Sequence, residues 1–264
     1  MRKTAILTLA LGFIVLGAAG PLSAQTAAAH IAKGDEYYAQ LKDAPALEEY
    51  LAAAKLEPGN YEALWKAARS LIDNGDLVDT KRKGFEEKQK EFYQNAEAYA
   101  RKAVAANPND TNGHFQLSAA LGKHALLLGK KDQIAMSKEV KIEIEKAIAL
   151  DAKNDGAYHA FGRWHRRMAE IGGAKRLIGG LLYGSIPKGT FEESETYLRK
   201  AVELVPDYIN HRLEFGRTLV ALDKYKEAAA EFQKCLDLPA KTSKDPGYKA
   251  EAQKELAAIQ KKLR

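Results

Sequence analysis

The sequence predicts an all-α fold in which about five helical hairpins stack into a right-handed solenoid that ends in a C-terminal capping helix. Alanine is abundant and proline is rare, with 8 prolines in 264 residues, which favours helices. Hydrophobic residues make up 46% of the chain, enough for a sizeable core. A pattern of large apolar and small residues also recurs along the chain at the spacing of paired helices.

The clearest copy of this pattern runs from Tyr158 to Pro206. Its first helix contains an aromatic residue, then a large apolar residue three positions later, then Gly162, and then a second ring-bearing side chain three positions after the glycine. Its second helix contains Ala201, five residues before the proline. This is the pattern of a tetratricopeptide repeat. We expect the glycine and the alanine to be small because two helices cross closely there. The proline should end the second helix, since it has no N–H to donate.

The same pattern divides the chain from residue 27 onward into repeats. They are predicted at residues 27–60, 61–110, 111–154, 155–208 and 209–242, with a capping helix at about 246–263. A polar cap is expected because the end repeat of a solenoid would otherwise expose its core. The second, third and fourth repeats exceed a repeat length of about 34 residues by 16, 10 and 20 residues. The first two surpluses are charged and predict solvated helical extensions.

The surplus in the fourth repeat has a different composition. Residues 172–187 are rich in glycine, contain two adjacent basic residues and include five large apolar or aromatic side chains that are candidates for membrane contact. These are Leu177, Ile178, Leu181, Leu182 and Tyr183. One interpretation is a short helix and turn packed over the solenoid, since apolar inserts of soluble proteins are usually buried. The other is an apolar flap with a basic edge that contacts a lipid or a partner protein.

Residues 1–24 have the organisation of a secretory signal peptide. A basic pair precedes an apolar run over residues 5–19, and Gly20-Pro21 then interrupts the helix before the small residue Ala24. We expect cleavage after Ala24 and export of the mature protein to the periplasm or out of the cell. The alternative is an uncleaved membrane anchor, for which the run is short of the roughly 20 residues that span a bilayer.

The remaining composition argues against several functional classes. The formal charge is +6, and without the two basic residues of the leader it is +4, an excess too small to predict a nucleic-acid partner. The single Cys235 rules out an intrachain disulfide and a cysteine-based zinc site. The histidines lack metal-ligand spacing, and nothing local activates a nucleophile. We therefore expect no catalytic residue, no metal and no cofactor.

Candidate binding residues follow from the geometry of the first helices. These helices line the concave face of such a solenoid, and residues that share one helical face project into the groove. The residues predicted to bind a ligand there are Trp65, Arg69, Phe115, His159, Arg163, Arg166 and Arg217. A row of guanidiniums suits a carboxylate or a phosphate. The alternative is that the arginines pair with local acids or lie along apolar surface.

Three motifs around the long insert resemble one known family. Residues 162–164 (Gly-Arg-Trp) precede the insert, residues 182–187 (Leu-Tyr-Gly-Ser-Ile-Pro) end it, and residues 190–193 (Thr-Phe-Glu-Glu) follow it. Their order is similar to the Gly-Arg-Trp, Leu-Phe-Gly-x-Pro-Pro and Thr-Tyr-Glu-Glu-Ala of the regulator of microtubule dynamics family. The chain departs from these motifs at Ile186 and Ser194. The resemblance extends roughly from residue 61 to the C-terminus and includes a similar tail at residues 238–245.

The resemblance implies an all-helical repeat domain that binds a partner and, in some members, microtubule association or lipid handling at membrane contacts. From the residues and the resemblance together, we expect a non-enzymatic protein-interaction module that binds an acidic peptide or another anionic partner in the basic groove. The alternative is a phospholipid-binding or lipid-transfer protein that uses the same groove and contacts a membrane through the insert. A third hypothesis is a scaffold that acts through its convex face.

Overall fold

The computed structural model describes residues 26–263, which form twelve α-helices, one short 3-10 helix and no strand. The helices are α1 (Ala27–Ala39), α2 (Asp43–Leu56), α3 (Tyr61–Asp76), α4 (Phe85–Ala106), α5 (Thr111–Ala125), α6 (Lys130–Leu150), α7 (Asp155–Ala169), α8 (Gly173–Tyr183), α9 (Phe191–Leu204), α10 (Ile209–Ala221), α11 (Tyr225–Asp237) and α12 (Asp245–Ile259). They pair into five hairpins, with α8 inserted between α7 and α9 and α12 packed on the fifth hairpin. The predicted all-α solenoid with a capping helix is confirmed.

Polar residues in the turns between hairpins determine where the next helices begin. Asn60, Asp110 and Asn154 precede α3, α5 and α7, and each side chain accepts a hydrogen bond from a backbone N–H two or three residues later. The three bonds are 2.9–3.1 Å long. Such a cap satisfies one of the N–H groups that the first turn of a helix leaves without a partner.

Stacking of the hairpins produces the core. Each of the first four hairpins packs its second helix against the first helix of the next hairpin. The crossing of α7 and α9 is close, because a Cβ atom on Gly162 would lie 2.5 Å from Leu198 Cγ and 3.1 Å from the Ser194 carbonyl oxygen. Ala201 on α9 is fully buried. Small side chains at these positions therefore permit the short distance between the two helices.

The surplus residues of the second and third repeats lengthen the second helices of those hairpins. α4 has 22 residues and α6 has 21, compared with 14 in α2. Their first turns are largely exposed, as the charged composition predicts. The predicted signal peptide, residues 1–24, lies outside the described residues.

The insert forms a helix that exposes its apolar side chains. None of the described residues of α8 is buried, and Leu177, Ile178, Leu181 and Leu182 are 69%, 59%, 81% and 65% exposed. The interpretation that the insert is buried over the solenoid is therefore wrong, although it does form a short helix and a turn. The side chain of Tyr183, the fifth predicted contact residue, lies outside the described part of the chain. Within residues 26–263, no helix has the length and apolar character needed to cross a membrane.

The loop between α11 and α12, residues 238–244, closes the solenoid on itself. Lys244 Nζ lies 2.6 Å from Asp73 Oδ1 and 3.4 Å from Asp76 Oδ2 at the end of α3. Ser243 donates a hydrogen bond to Asp43 at the start of α2. This closing loop therefore joins the fifth hairpin to the first two and covers the inner face.

Candidate functional site

The first helices and the closing loop surround a cavity of about 590 Å³, which we call the chamber. Its volume lies within the range of about 300–1,000 Å³ that ligand pockets occupy. Five of the seven predicted binding residues line it, namely Trp65, Arg69, Phe115, His159 and Arg163. Arg166 and Arg217 do not belong to its lining. The wall also contains Tyr38, Lys123, Arg167, Tyr208, Lys244 and Tyr248.

Arg69 lies against aromatic rings in the chamber wall. Its guanidinium carbon is 3.8 Å from the centroid of Tyr38 and 5.2 Å from that of Trp65. One terminal nitrogen donates to the Tyr50 hydroxyl at 3.3 Å, whereas the buried Nε has no hydrogen-bond partner. Aromatic faces attract a cation without neutralising it. The charge of Arg69 therefore stays available to a ligand in the chamber.

His159 belongs to a buried chain of hydrogen bonds rather than to a set of cations. Its Nδ1 lies 3.0 Å from Nδ1 of His211, and Nε2 of that second ring lies 2.8 Å from Asp155 Oδ2. Burial and the neighbouring His211 lower the pKa of His159 well below its ordinary value. The ring is neutral at physiological pH, so it offers hydrogen bonding and not charge to a ligand.

Glu214 changes the interpretation of the predicted arginine row. This acid, whose side chain is 5% exposed, lies 3.0 Å from a terminal nitrogen of Arg217 and 3.6 Å from Nε of Arg163. Arg166 forms a shorter ion pair with it and donates to its backbone carbonyl oxygen at 2.8 Å. Burial alone would raise the pKa of Glu214, but the guanidiniums of Arg163 and Arg166 hold it well below its ordinary value.

For these three arginines the structure shows the alternative, pairing with a local acid, rather than a row of free guanidiniums. Arg217 also pairs with Glu251 at 2.7 Å and with Glu255 at 2.9 Å, both on α12. These contacts tie α7, α10 and the capping helix together, which is a structural role. Arg166 and Arg217 therefore carry no unbalanced positive charge, and they give no argument for an anionic ligand.

Two other guanidiniums of the chamber lack such partners. No carboxylate of the described residues lies within 4.0 Å of Arg69 or Arg167. Desolvation and repulsion from Arg163 lower the pKa of Arg167. By contrast, Lys123 lies 2.5 Å from Asp76 Oδ1. Arg69 and Arg167, on the second and fourth hairpins, and the exposed Lys153 are therefore cations of the chamber wall that no ion pair among the described residues neutralises.

Comparison with known proteins identifies the family of this chain. The family model for regulator of microtubule dynamics protein 1-3 matches residues 30–260. The chain belongs to this family. The match begins within α1 and extends through the capping helix, and it confirms the resemblance inferred from the motifs around the insert.

Individual relatives agree with this assignment. Regulator of microtubule dynamics protein 1 of Bos taurus is 31% identical over 74% of this chain and 61% of its own length. The Pongo abelii protein of the same name is 30% identical over 78% of this chain and 65% of its own. The chain thus spans less than two thirds of these relatives. The crystal structure of a thermophilic tetratricopeptide-repeat protein from Thermus thermophilus covers 88% of this chain and all of its own, with a TM-score of 0.61 and 17% identity, which supports the fold.

The family motifs of this chain lie around the insert and the chamber. Arg163 lines the chamber, and buried Trp164 donates its indole N–H to the Ser137 carbonyl oxygen at 2.9 Å. Thr190 caps α9 by accepting from the Glu193 N–H at 3.0 Å. The motif residues therefore fix one wall of the chamber and the start of the helix that follows the insert.

Sequence reasoning did not select several residues of the site. Glu214 could have been found, because it lies three residues before Arg217 on one helix and such spacing brings opposite charges together. Arg167 directly follows a predicted residue but falls outside the positions assigned to the groove. Lys244 and Tyr248 reach the chamber only because the closing loop returns to α3, and no local pattern indicates that contact. Among the described residues, no cluster of His, Cys, Asp or Glu suits a metal ion.

Proposed function

We propose that this chain is a non-enzymatic interaction module that holds an acidic segment of a partner protein in the chamber. The observation that carries the proposal is the pair of guanidiniums, Arg69 and Arg167, that lack a carboxylate partner in the chamber wall. An acidic side chain or a terminal carboxylate would complete their hydrogen bonding, since guanidiniums bind carboxylates in a two-pronged geometry.

The aromatic residues of the chamber support a peptide as the occupant. Trp65 and Phe115 line the chamber from α3 and α5, and Tyr208 and Tyr248 also belong to its lining. Rings next to a cationic group bind the apolar side chains that flank an acid, and aromatic and arginine side chains dominate the energetics of many interfaces. The inner surfaces of helical-repeat solenoids are commonly used for binding. The family and the fold therefore favour this function over a catalytic one.

The proposal can be tested with peptides even before the partner is identified. We would measure fluorescence polarisation with a labelled peptide library that contains clustered Asp and Glu, and with the same library carrying Asn and Gln instead. The acidic library should bind selectively. Its binding should weaken as salt rises, because exposed charges are screened beyond about 8 Å at physiological ionic strength.

Variants of the two guanidiniums provide the residue-level test. Arg69→Gln with Arg167→Gln should weaken binding of the acidic library by roughly tenfold or more, since hydrogen bonds to charged groups contribute about 1.5–3 kcal/mol each. Arg101→Gln is the matched control, because Arg101 is paired with Glu97 and Glu139 and does not line the chamber. Equal binding of the acidic and amide libraries, or an unaffected double variant, would overturn the proposal.

A phospholipid is the second candidate ligand for the chamber. The observation that favours it is the exposed apolar surface of α8 beside the fourth hairpin. A headgroup phosphate suits Arg69 and Arg167 as well as a carboxylate does. Extraction of the purified protein followed by mass spectrometry distinguishes the two. Stoichiometric phospholipid that co-purifies with the protein and is lost in the double Arg variant would favour lipid binding. An absence of co-purified phospholipid together with binding of the acidic peptides would favour the peptide-binding module.

A further inference from the structure

The helix α8 presents one continuous apolar face that the rest of the described chain leaves uncovered. At 100° per residue, Leu177, Leu181, Ile178 and Leu182 occupy a single arc of the helix. All four are between 59% and 81% exposed. Soluble monomers rarely leave a contiguous apolar patch of this kind without a function.

The opposite face of α8 is fastened to the protein. Arg176 donates to the Ile186 carbonyl oxygen at 3.2 Å and, by shorter bonds, to the carbonyl oxygens of Met168 and Pro187. Gly179 also lies on this side, where a Cβ atom would come within 2.7 Å of Ile186 Cδ1. The helix is thus fixed by its polar and glycine side, which directs the leucines and the isoleucine away from the solenoid.

The charges within the insert have one sign, and the nearest acids in the sequence, Glu170 and Glu192, lie just outside it. Residues 171–191 contain Lys175, Arg176 and Lys188 and no acidic residue. Lys175 and Lys188 are exposed, and helical spacing places Lys175 at the edge of the apolar arc next to Leu182. A helix with an apolar face and lysines at its edge is suited to the boundary between headgroups and acyl chains.

We propose that α8 docks this protein on an anionic membrane surface, with Leu177, Ile178, Leu181 and Leu182 inserted among the lipids and Lys175 and Lys188 at the headgroups. The charge complementarity selects an acidic lipid surface over a neutral one. The proposal does not depend on what the chamber binds. It assigns to the insert a role that is separate from the binding of a peptide.

Vesicle co-sedimentation tests the proposal. The protein, expressed as residues 25–264, would be mixed with phosphatidylcholine vesicles and with phosphatidylcholine vesicles that contain phosphatidylglycerol. We expect binding to the anionic vesicles and little binding to the neutral ones. Leu181→Gln with Leu182→Gln should lower the partition coefficient by about tenfold or more, because the variant removes two of the four apolar side chains that would be inserted among the lipids. Leu56→Gln with Ile142→Gln removes two similarly exposed apolar residues elsewhere and should bind as the unmodified chain does.

The role of the lysines and the insertion of α8 into the lipid are tested by separate experiments. Lys175→Glu with Lys188→Glu should reduce binding to the anionic vesicles, while Lys83→Glu with Lys90→Glu, two exposed lysines of the second repeat, should not. An environment-sensitive fluorophore attached after Leu181→Cys should brighten on the anionic vesicles, and the same label after Ile142→Cys should not. The native Cys235 is buried and should not interfere.

Three results would overturn the proposal. The first is an absence of binding to either vesicle, and the second is undiminished binding by the Leu181→Gln, Leu182→Gln variant. The third is a concentration-dependent dimer that this variant abolishes without any vesicle binding, which would assign the apolar face to a second copy of the chain. Acidic-peptide binding by the same variant should be unchanged, so a failure here is distinguishable from a failure of the chamber proposal.

Discussion

Among the described residues, Glu214 is the acid that forms ion pairs with the largest number of basic side chains. Its buried carboxylate faces Arg163, Arg166 and Arg217, and through the last of these it is connected to two acids of α12. Removal of one partner from a buried charge network leaves the others uncompensated and is far more costly than loss of an exposed pair.

Glu214→Gln should therefore lower the free energy of unfolding by about 3 kcal/mol, measured by urea denaturation. The matched control is Glu139→Gln, whose partner Arg101 is exposed, and its effect should stay within about 0.5 kcal/mol. Equal effects of the two substitutions would show that the three arginines do not depend on the buried acid.

The same residue predicts how stability depends on pH. The pKa of Glu214 is lowered from an ordinary value of 4.5, so its contribution is fully present above that value and is lost as the pH falls below it. The Gln variant should accordingly lose less stability than the unmodified chain between about pH 5 and pH 3. Parallel pH profiles for the two proteins would contradict this.

At the scale of elements, the distance between α7 and α9 depends on two small residues. Gly162 approaches Leu198 and Ser194 so closely that a larger side chain must displace one helix, and Ala201 is fully buried. A glycine elsewhere in the same set of first helices has no such constraint, since a Cβ atom on Gly122 would meet nothing within 4 Å.

Gly162→Leu and Ala201→Leu should each destabilise the protein by roughly 1–3 kcal/mol or more, because overpacking forces the helices apart. Gly122→Leu should be neutral or slightly stabilising, since glycine costs about 0.5–1 kcal/mol within a helix. The unfolding midpoints of these variants can be measured by denaturant titration followed by circular dichroism. Unchanged midpoints for the first two variants would mean that the helix register is wrong.

At the scale of the whole molecule, the closing loop turns an open solenoid into one with a covered inner face. Lys244 is its main contact, with a side chain that is 17% exposed. Burial by itself lowers the pKa of this lysine, but the carboxylates of Asp73 and Asp76 outweigh that effect and raise the pKa above its ordinary value. The lysine is therefore charged when it holds the two ends of the solenoid together.

Lys244→Gln should lower the free energy of unfolding by about 3 kcal/mol and increase the radius of gyration measured by small-angle scattering, because the first and last hairpins can then separate. Lys241→Gln is the control, since its pair with Asp207 is about half exposed on both sides. An unchanged radius for the Lys244→Gln variant would show that the apolar packing alone closes the chamber.

The leader gives a prediction for the mature chain. Residues 1–24 should be absent from protein isolated from the native host, because the apolar run and the small residue Ala24 match a signal peptidase site. Intact-mass measurement decides this. A mass that still includes residues 1–24 would contradict cleavage and favour the anchor.

The sequence by itself determined the helical-repeat fold. The spacing of Gly162, Ala201 and Pro206 reflects local geometry, since helix crossings need small residues and helix ends need breakers, and such requirements are visible along one chain segment. The position of the arginines on the first helices was predictable for the same reason, because the helical period decides which residues share a face. The composition of the insert indicated an apolar helix.

Only the tertiary structure decided which charges are free and which surfaces are covered. Glu214 neutralises predicted ligand-binding arginines from two hairpins, and Lys244 reaches acids about 170 residues away in the sequence. The exposed face of α8 depends on Arg176 finding three carbonyl oxygens in the folded chain. Ion pairing and burial depend on distances between segments remote in sequence, and those distances arise from how five hairpins stack and how the last loop returns to the first two.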